Sequence, residues 1–241
     1  MKTITFLAVT LLSGTIAGTF LGVINQGIVE PYIDKAINIE TQRQINSGGN
    51  IDQVEIASYR VWQKSGEIAA GTILGISISA LFGIVFAYSR NSLLGSSNKK
   101  KALVLAGVMW FVLFLVPALK YPANPPAVGN PETIYYRESL YIRYLAVSGF
   151  SALALAFLFR KLGNKLSKKI IVPLIYAVVM FAAYLGLPSN PDKINIPMEL
   201  VQTFRISSAF SMSIFWGIMA IVFGSLWDKL KPHKTTKIAT I

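Results

Sequence analysis

Long apolar runs broken by short polar stretches set the pattern of this chain. Six runs are nearly free of charge, at about residues 4–25, 67–88, 102–119, 140–159, 170–187 and 205–227. Each approaches the roughly 20 apolar residues that carry a helix across about 30 Å of hydrocarbon. Lipid offers no partner to an unpaired backbone amide, so all six are expected as helices. The pattern predicts an all-α, polytopic membrane helix bundle forming one domain over residues 1–241. The first run follows a short basic start, as a signal peptide also would. Its length exceeds the usual signal core and no small-x-small cleavage site precedes a soluble domain, so a retained helix is expected.

The connections alternate in character. One set is short and basic; the other is longer, with Pro31, Pro117 and Pro188 where outgoing helices are expected to end. Tyr59-Arg60, Tyr136-Arg137 and Phe204-Arg205 precede the returning helices. The six spans thus read as three hairpins. They would suit a threefold repeat, although any six-helix topology yields three hairpins. Residues 27–66 are too many for a structureless loop. Residues 31–46 place Ile33, Ala36 and Ile37 on one helical face, Gly48-Gly49-Asn50 is a turn, and Ile51, Val54, Ser58 and Val61 recur at helical spacing. An outer cap of two short helices is expected between spans 1 and 2, the second able to run straight into the helix beginning at Glu67.

Composition narrows the class. Apolar residues make up 53% and charged residues 14%, whereas a soluble domain carries about 25% charged residues. A cytosolic enzyme, a disordered chain and a secreted disulfide scaffold are excluded. There is no cysteine, and the single histidine, His233, falls in the C-terminal tail, where it reads as solvated. Lys2, residues 90–101, residues 160–169 and the tail after Trp227 hold fourteen of the 23 basic residues and one acid, Asp228. The other connections hold nine basic residues and ten acids. Basic loops stay cytoplasmic, so a multi-pass plasma-membrane protein with both termini in the cytoplasm is expected. This asymmetry accounts for the net charge of +12. No helix carries the basic stripe with interleaved aromatics of a nucleic-acid binder. No phosphate-binding loop, nucleophile elbow or metalloprotease motif is present, so no enzyme, catalytic residue or resident cofactor is expected.

Gly14, Gly18 and Gly22 on the first span, and Gly71, Gly75, Ser79 and Gly83 on the second, fall at intervals of four. Such stripes let helix backbones approach closely, against each other or against a partner. Charges near the outer ends are candidate pathway groups, because an ionisable side chain in hydrocarbon costs several kcal/mol and flags function. Arg60, Gln63 and Lys64 precede Glu67; Arg137, Glu138 and Arg143 enter the fourth span; Glu199 and Arg205 enter the sixth. Glu67, Arg143 and Arg205 are the deeper ones and would line an outer vestibule; Arg60, Lys64 and Glu138 are expected to snorkel to water. Transition metals favour imidazole and thiolate ligands. A transient metal site here would have to draw on Glu67, asparagines, carbonyls and Met109, Met180 or Met212, which otherwise read as core residues.

The most distinctive string is LKYPANPPAVGNPETI, residues 119–134, followed by Arg137 and Tyr141. Its prolines lock φ and remove amide donors, so residues 120–132 must form a stiff extended loop. That loop would clip the third and fourth helices together or offer carbonyls to a cation or a partner, with Tyr121 and Asn124 as candidate contacts. The string is similar to the corresponding loop of the CbtA family, predicted cobalt transporter subunits. Arg60, Gln63, Lys64 and Gly66, together with FRISSAFSMSIFWGIMAIVFGSL at residues 204–226, resemble that family's second-span entry and last span. The resemblance covers most of the chain. It implies a membrane protein linked to uptake of cobalt, or a related divalent metal, for cobalamin synthesis. It also implies a small one-span partner bearing histidines. The competing reading is a non-transporting scaffold within a larger membrane complex. Arginines around a vestibule suit a bare cation only if Glu67, Glu138 and Glu199 pair with them; otherwise a metabolite or anionic chelate fits better.

Overall fold

A computed structural model describes residues 2–50, 52–161 and 166–233. Residues 162–165 of one basic connection and the tail from 234 lie outside the described residues. The chain is helical, with no strand among the described residues. Helix α1 (Thr3–Ile28) gives way at Val29 to α2 (Glu30–Asn46). Pro31 sits in the first turn of α2, where a missing amide donor costs nothing. Gly48, at φ +81°, supplies the left-handed residue of the turn that follows. Asp52 Oδ1 then accepts from the amides of Val54 at 2.8 Å and Glu55 at 3.2 Å, capping α3 (Gln53–Ser89). The second cap segment and the second apolar run are therefore one helix of 37 residues.

Helix α4 (Asn98–Trp110), a π-helical turn (Phe111–Leu115) and α5 (Val116–Lys120) make one continuous rod. Pro117 does not end it. Proline lacks an amide hydrogen and crowds the turn before it. Just ahead of it the register slips, and the Val116 amide bonds to Phe111 O. The proline segment is extended, and a 3-10 turn (Pro131–Thr133) leads into α6 (Ile134–Lys161). Helices α7 (Leu166–Gly186) and α8 (Met198–Leu230) complete the chain. Among the described residues, five helical stretches are long and apolar enough to cross a membrane; a sixth, Ile170–Gly186, is apolar but shorter.

The chain divides into two compact units, residues 1–108 with 202–241, and residues 109–201. In the first, α1 and α3 touch backbone to backbone through their glycines. A methyl group on Gly14 would lie 2.6 Å from Gly75 O, and one on Gly71 would lie 2.7 Å from Gly18 O. Hydroxyls add cross-links at this seam: Ser79 Oγ donates to Thr10 O at 2.8 Å, and Thr19 and Thr72 pair at 2.9 Å. Further along, Phe223 of α8 meets Phe82 and Phe86 of α3 edge-on, with centroids 4.9 and 5.2 Å apart. Asp228 of α8 caps α4, accepting from Asn98 Nδ2 at 2.7 Å and from the Lys99 amide at 3.2 Å. His233 is half-buried rather than solvated, its ring parallel to that of Trp227.

In the second unit Val116, Tyr121, Leu140, Tyr144 and Met180 form a buried cluster shared by α5, α6, α7 and the proline loop. Ser148 Oγ donates to Val112 O inside the π turn at 2.5 Å and pairs with Tyr176 OH at 2.7 Å.

Candidate functional site: a charged cluster at the α1–α2–α3 junction

The turn at residues 47–50 folds α2 back beside the first part of α3, which brings acids of one helix to bases of the other. Arg60 pairs with Glu30, and its Nη2 lies 2.9 Å from Asp34 Oδ1. Its Nη1 donates to Gln63 Oε1 at 2.7 Å. Lys64 Nζ donates to Asp34 Oδ2 at 2.7 Å, and Gln26 Nε2 donates to Lys64 O at 2.7 Å. The Arg60–Glu30 pair is nearly dry, with side chains 12% and 9% exposed. Asp34 is more open; burial alone would push its carboxyl up, but hydrogen bonds from Lys64 and Arg60 and their charges hold it below the ordinary range.

Glu67 lies two turns further along α3. Asn25 of α1 hydrogen-bonds its carboxylate, and the Asn25 amide oxygen accepts from Ser211 Oγ of α8. The second carboxylate oxygen, Oε2, is buried with no hydrogen-bond partner. Glu67 forms no ion pair among the described residues. A cleft of about 360 Å³, lined by Gln26, Glu30, Pro31, Asp34, Lys64 and Ser65, opens on the same cluster. Arg60, Gln63 and Glu67 are thus gathered at one end of this unit. Arg205, on α8 of the same unit, is half-buried.

The second unit places Tyr121, Asn124, Arg137 and Tyr141 around a pocket of about 480 Å³, with Glu138 and Asn190 also in its wall. Tyr121 OH donates to Pro188 O at 2.5 Å, so the phenol is spent on the loop and its ring faces the core. Burial, with the neighbouring Tyr136, raises the Tyr121 hydroxyl above the ordinary tyrosine range. Arg137 Nε lies 2.6 Å from Asp192 Oδ2 and also meets Thr133 Oγ1 at 3.2 Å. Gly129, at φ +101°, leaves the room: a methyl there would lie 2.7 Å from Arg137 Nη1. Arg143 is exposed and lines none of this pocket.

Arg60 and Arg137 are therefore neutralised by Glu30, Asp34 and Asp192, acids that the sequence pattern did not single out. Arg60 does not snorkel. The only advance signal was local: Asp34 stands on the segment read as helical, residues 31–46, and Glu30 just before it. Among the described residues no group of three or more histidine, cysteine, aspartate or glutamate side chains comes together as a metal-holding set.

A helical, multi-pass membrane protein with polar clusters on its membrane helices is the class these features define. The sequence profile described as "Probable cobalt transporter subunit (CbtA)" matches residues 3–228, and the chain belongs to that family. The family is one of transport rather than catalysis, and its description as a subunit implies a partner in a transporter complex. Searches of curated proteins and of solved structures each found no match.

Proposed function

We propose that this chain is the membrane-embedded subunit through which cobalt, or a related divalent metal used in cobalamin synthesis, crosses the plasma membrane. It does so as six spans in three hairpins, a single membrane domain with both termini in the cytoplasm. Glu67 carries the reading. A transported ion needs a ligand that holds it briefly, and a carboxylate oxygen shielded from water and spent on nothing else is such a ligand. The salt-bridged state of Arg60 supports it too, because a guanidinium already neutralised by Glu30 and Asp34 does not repel an approaching cation. A one-span partner bearing histidines supplies the imidazoles that this chain's single histidine does not. Tyr121, Asn124, Arg137 and Tyr141 form a second polar station in their own unit.

The test is metal uptake by proteoliposomes holding the natively purified chain with its co-purifying polypeptides. Cobalt accumulation above that of empty vesicles is expected, and Glu67→Gln should reduce it. No metal-dependent flux, with or without a histidine-bearing partner, removes the reading.

A further inference from the structure

The pocket of about 480 Å³ in the second unit has two parts of opposite character. Its apolar part includes Phe114 and Ala118, near the end of the α4–α5 rod, and Leu140 of α6. All three belong to the uncharged runs 102–119 and 140–159. Its polar part is Asn124 of the proline loop, Arg137 and Glu138 in the first two turns of α6, and Asn190. These four lie beyond the runs. The pocket therefore straddles the level at which two membrane-capable stretches, Asn98–Lys120 and Pro131–Phe159, leave the hydrocarbon. Apolar surface continues beside it: Leu119 is 70% exposed, and Ile134 in the pocket wall is 48% exposed. Tyr135 and Tyr136, exposed on the same turn of α6, carry the amphipathic rings that settle at headgroup level. The volume is that of an ordinary ligand pocket. An oily part at membrane depth joined to a wet part suits an amphiphile rather than a solute from the water.

Charge then selects the headgroup. Two charged side chains stand in the wall, Arg137 and Glu138. Arg137 is engaged: its Nε meets Asp192 and Thr133, and its Nη2 donates to Asn130 O at 3.3 Å. Lys120, at the end of α5, is engaged likewise, donating to Tyr184 O and to Leu187 O at 3.0 Å. Glu138 is exposed and forms no ion pair among the described residues. The wall thus presents a carboxylate whose charge is unmatched beside an arginine whose charge is matched. An anionic headgroup is repelled there. A primary ammonium finds an acceptor for a charge-assisted hydrogen bond, which a quaternary ammonium has no N–H to make. We propose that this pocket binds a bilayer phospholipid whose headgroup ends in a primary ammonium, with the ammonium on Glu138 and an acyl chain against Phe114, Ala118 and Leu140. Pro122 and Ala123 of the proline loop form part of the wall. Fixed proline φ angles make that wall preformed, so little order is lost when the lipid arrives. The proposal gives the second polar station an occupant and does not rest on metal transport.

The test uses the full chain in nanodiscs of phosphatidylethanolamine, phosphatidylglycerol and phosphatidylcholine in equal amounts, washed in detergent and read by native mass spectrometry. Phosphatidylethanolamine is expected to stay bound in excess over the other two. Glu138→Gln should cut that excess about two- to fivefold, the scale of a water-exposed ion pair. Glu132→Gln, an exposed acid just ahead of α6 that is outside the pocket wall, should leave it unchanged. Ala118→Trp, which fills the apolar part, should release bound lipid of every class. Glu138 is exposed, so its substitution spares the fold. It decides the question even where Ala118→Trp does not fold. Equal retention of the three lipids, or an excess that Glu138→Gln leaves intact, overturns the proposal. So does release of the bound lipid by glycerophosphoethanolamine, which has the headgroup without chains, as readily as by a short-chain phosphatidylethanolamine. That result would make the ligand a soluble ammonium compound.

Discussion

Two ion pairs that hold α2 to α3 differ in depth, and depth decides what each contributes. The Arg60–Glu30 pair is about nine-tenths buried on both sides, whereas Lys64 and Asp34 are each 42% exposed. Breaking a buried pair by removing one partner costs about 3–5 kcal/mol, because the other charge is stranded. Exposed pairs are worth about 0–1 kcal/mol. Asp34 would still hold Arg60 if Glu30 were lost, so Glu30→Ala should cost about 2–3 kcal/mol, below that full range. Lys64→Ala should cost under about 1 kcal/mol. Thermal unfolding in detergent reads the order; equal losses would show that the two pairs are equally solvated. The pH dependence follows from Asp34. Its folded carboxyl titrates below its ordinary value of 3.8, so its contribution is complete above that value. It is lost as pH falls through the lowered one. Spin labels at Gln42→Cys and Ala57→Cys, in a chain with no native cysteine, should report a constant α2–α3 distance from neutral pH down to about 4 and separation only below it. Opening between pH 6 and 5 would assign the latch to another group. Arg60 was visible in the sequence as a charge at a helix entrance. Its partners were not, because they lie 26 and 30 positions away and only the 47–50 turn brings them close.

At the scale of helices, the seam between α1 and α3 depends on missing side chains. Apolar attraction between helices is weak in lipid, and close backbone contact replaces it. A methyl on Gly75 would lie 2.7 Å from Gly18 Cα and 2.8 Å from its amide nitrogen, atoms that cannot rotate away. Gly75→Val should therefore destabilise the protein by about 1–3 kcal/mol or more, the range for overpacking. Gly27, also on α1, has nothing within 4 Å of an added methyl. Gly27→Ala should be neutral or stabilise by up to about 1 kcal/mol through helix propensity. Melting temperatures of the two variants check this; a tolerant Gly75→Val would mean that the helices slide apart at little cost. The stripes were legible because spacing of four is a local signal on any helix. The course of the third apolar run was not. Pro117 read as a terminator, yet the rod continues to Lys120. A proline marks a helix end only when the backbone cannot adjust, and here the π turn at residues 111–115 adjusts it, with Ser148 donating to the Val112 carbonyl.

For the whole molecule the outstanding quantity is direction across the bilayer, and it is an electrostatic one. Basic residues within short loops resist translocation, while acids count for little. Fourteen lysines and arginines against nine therefore predict Lys2, the 90–101 and 160–169 connections and the tail on the cytoplasmic side. In that orientation the α2–α3 latch and Glu67 would face outward, as the proposed uptake requires. The lack of native cysteine makes the check direct. Ala57 and Ser92 are both exposed, one on the first part of α3 and the other just beyond its end. In intact spheroplasts, Ala57→Cys should react with a membrane-impermeant maleimide and Ser92→Cys should not; after lysis both should react. The reverse pattern would place Glu67 inside the cell, where it would serve export. Equal labelling of both in intact cells would mean that the charge difference is too small to fix one orientation. In that case, shifting two lysines from residues 99–101 to the opposite loops should bias the mixture measurably.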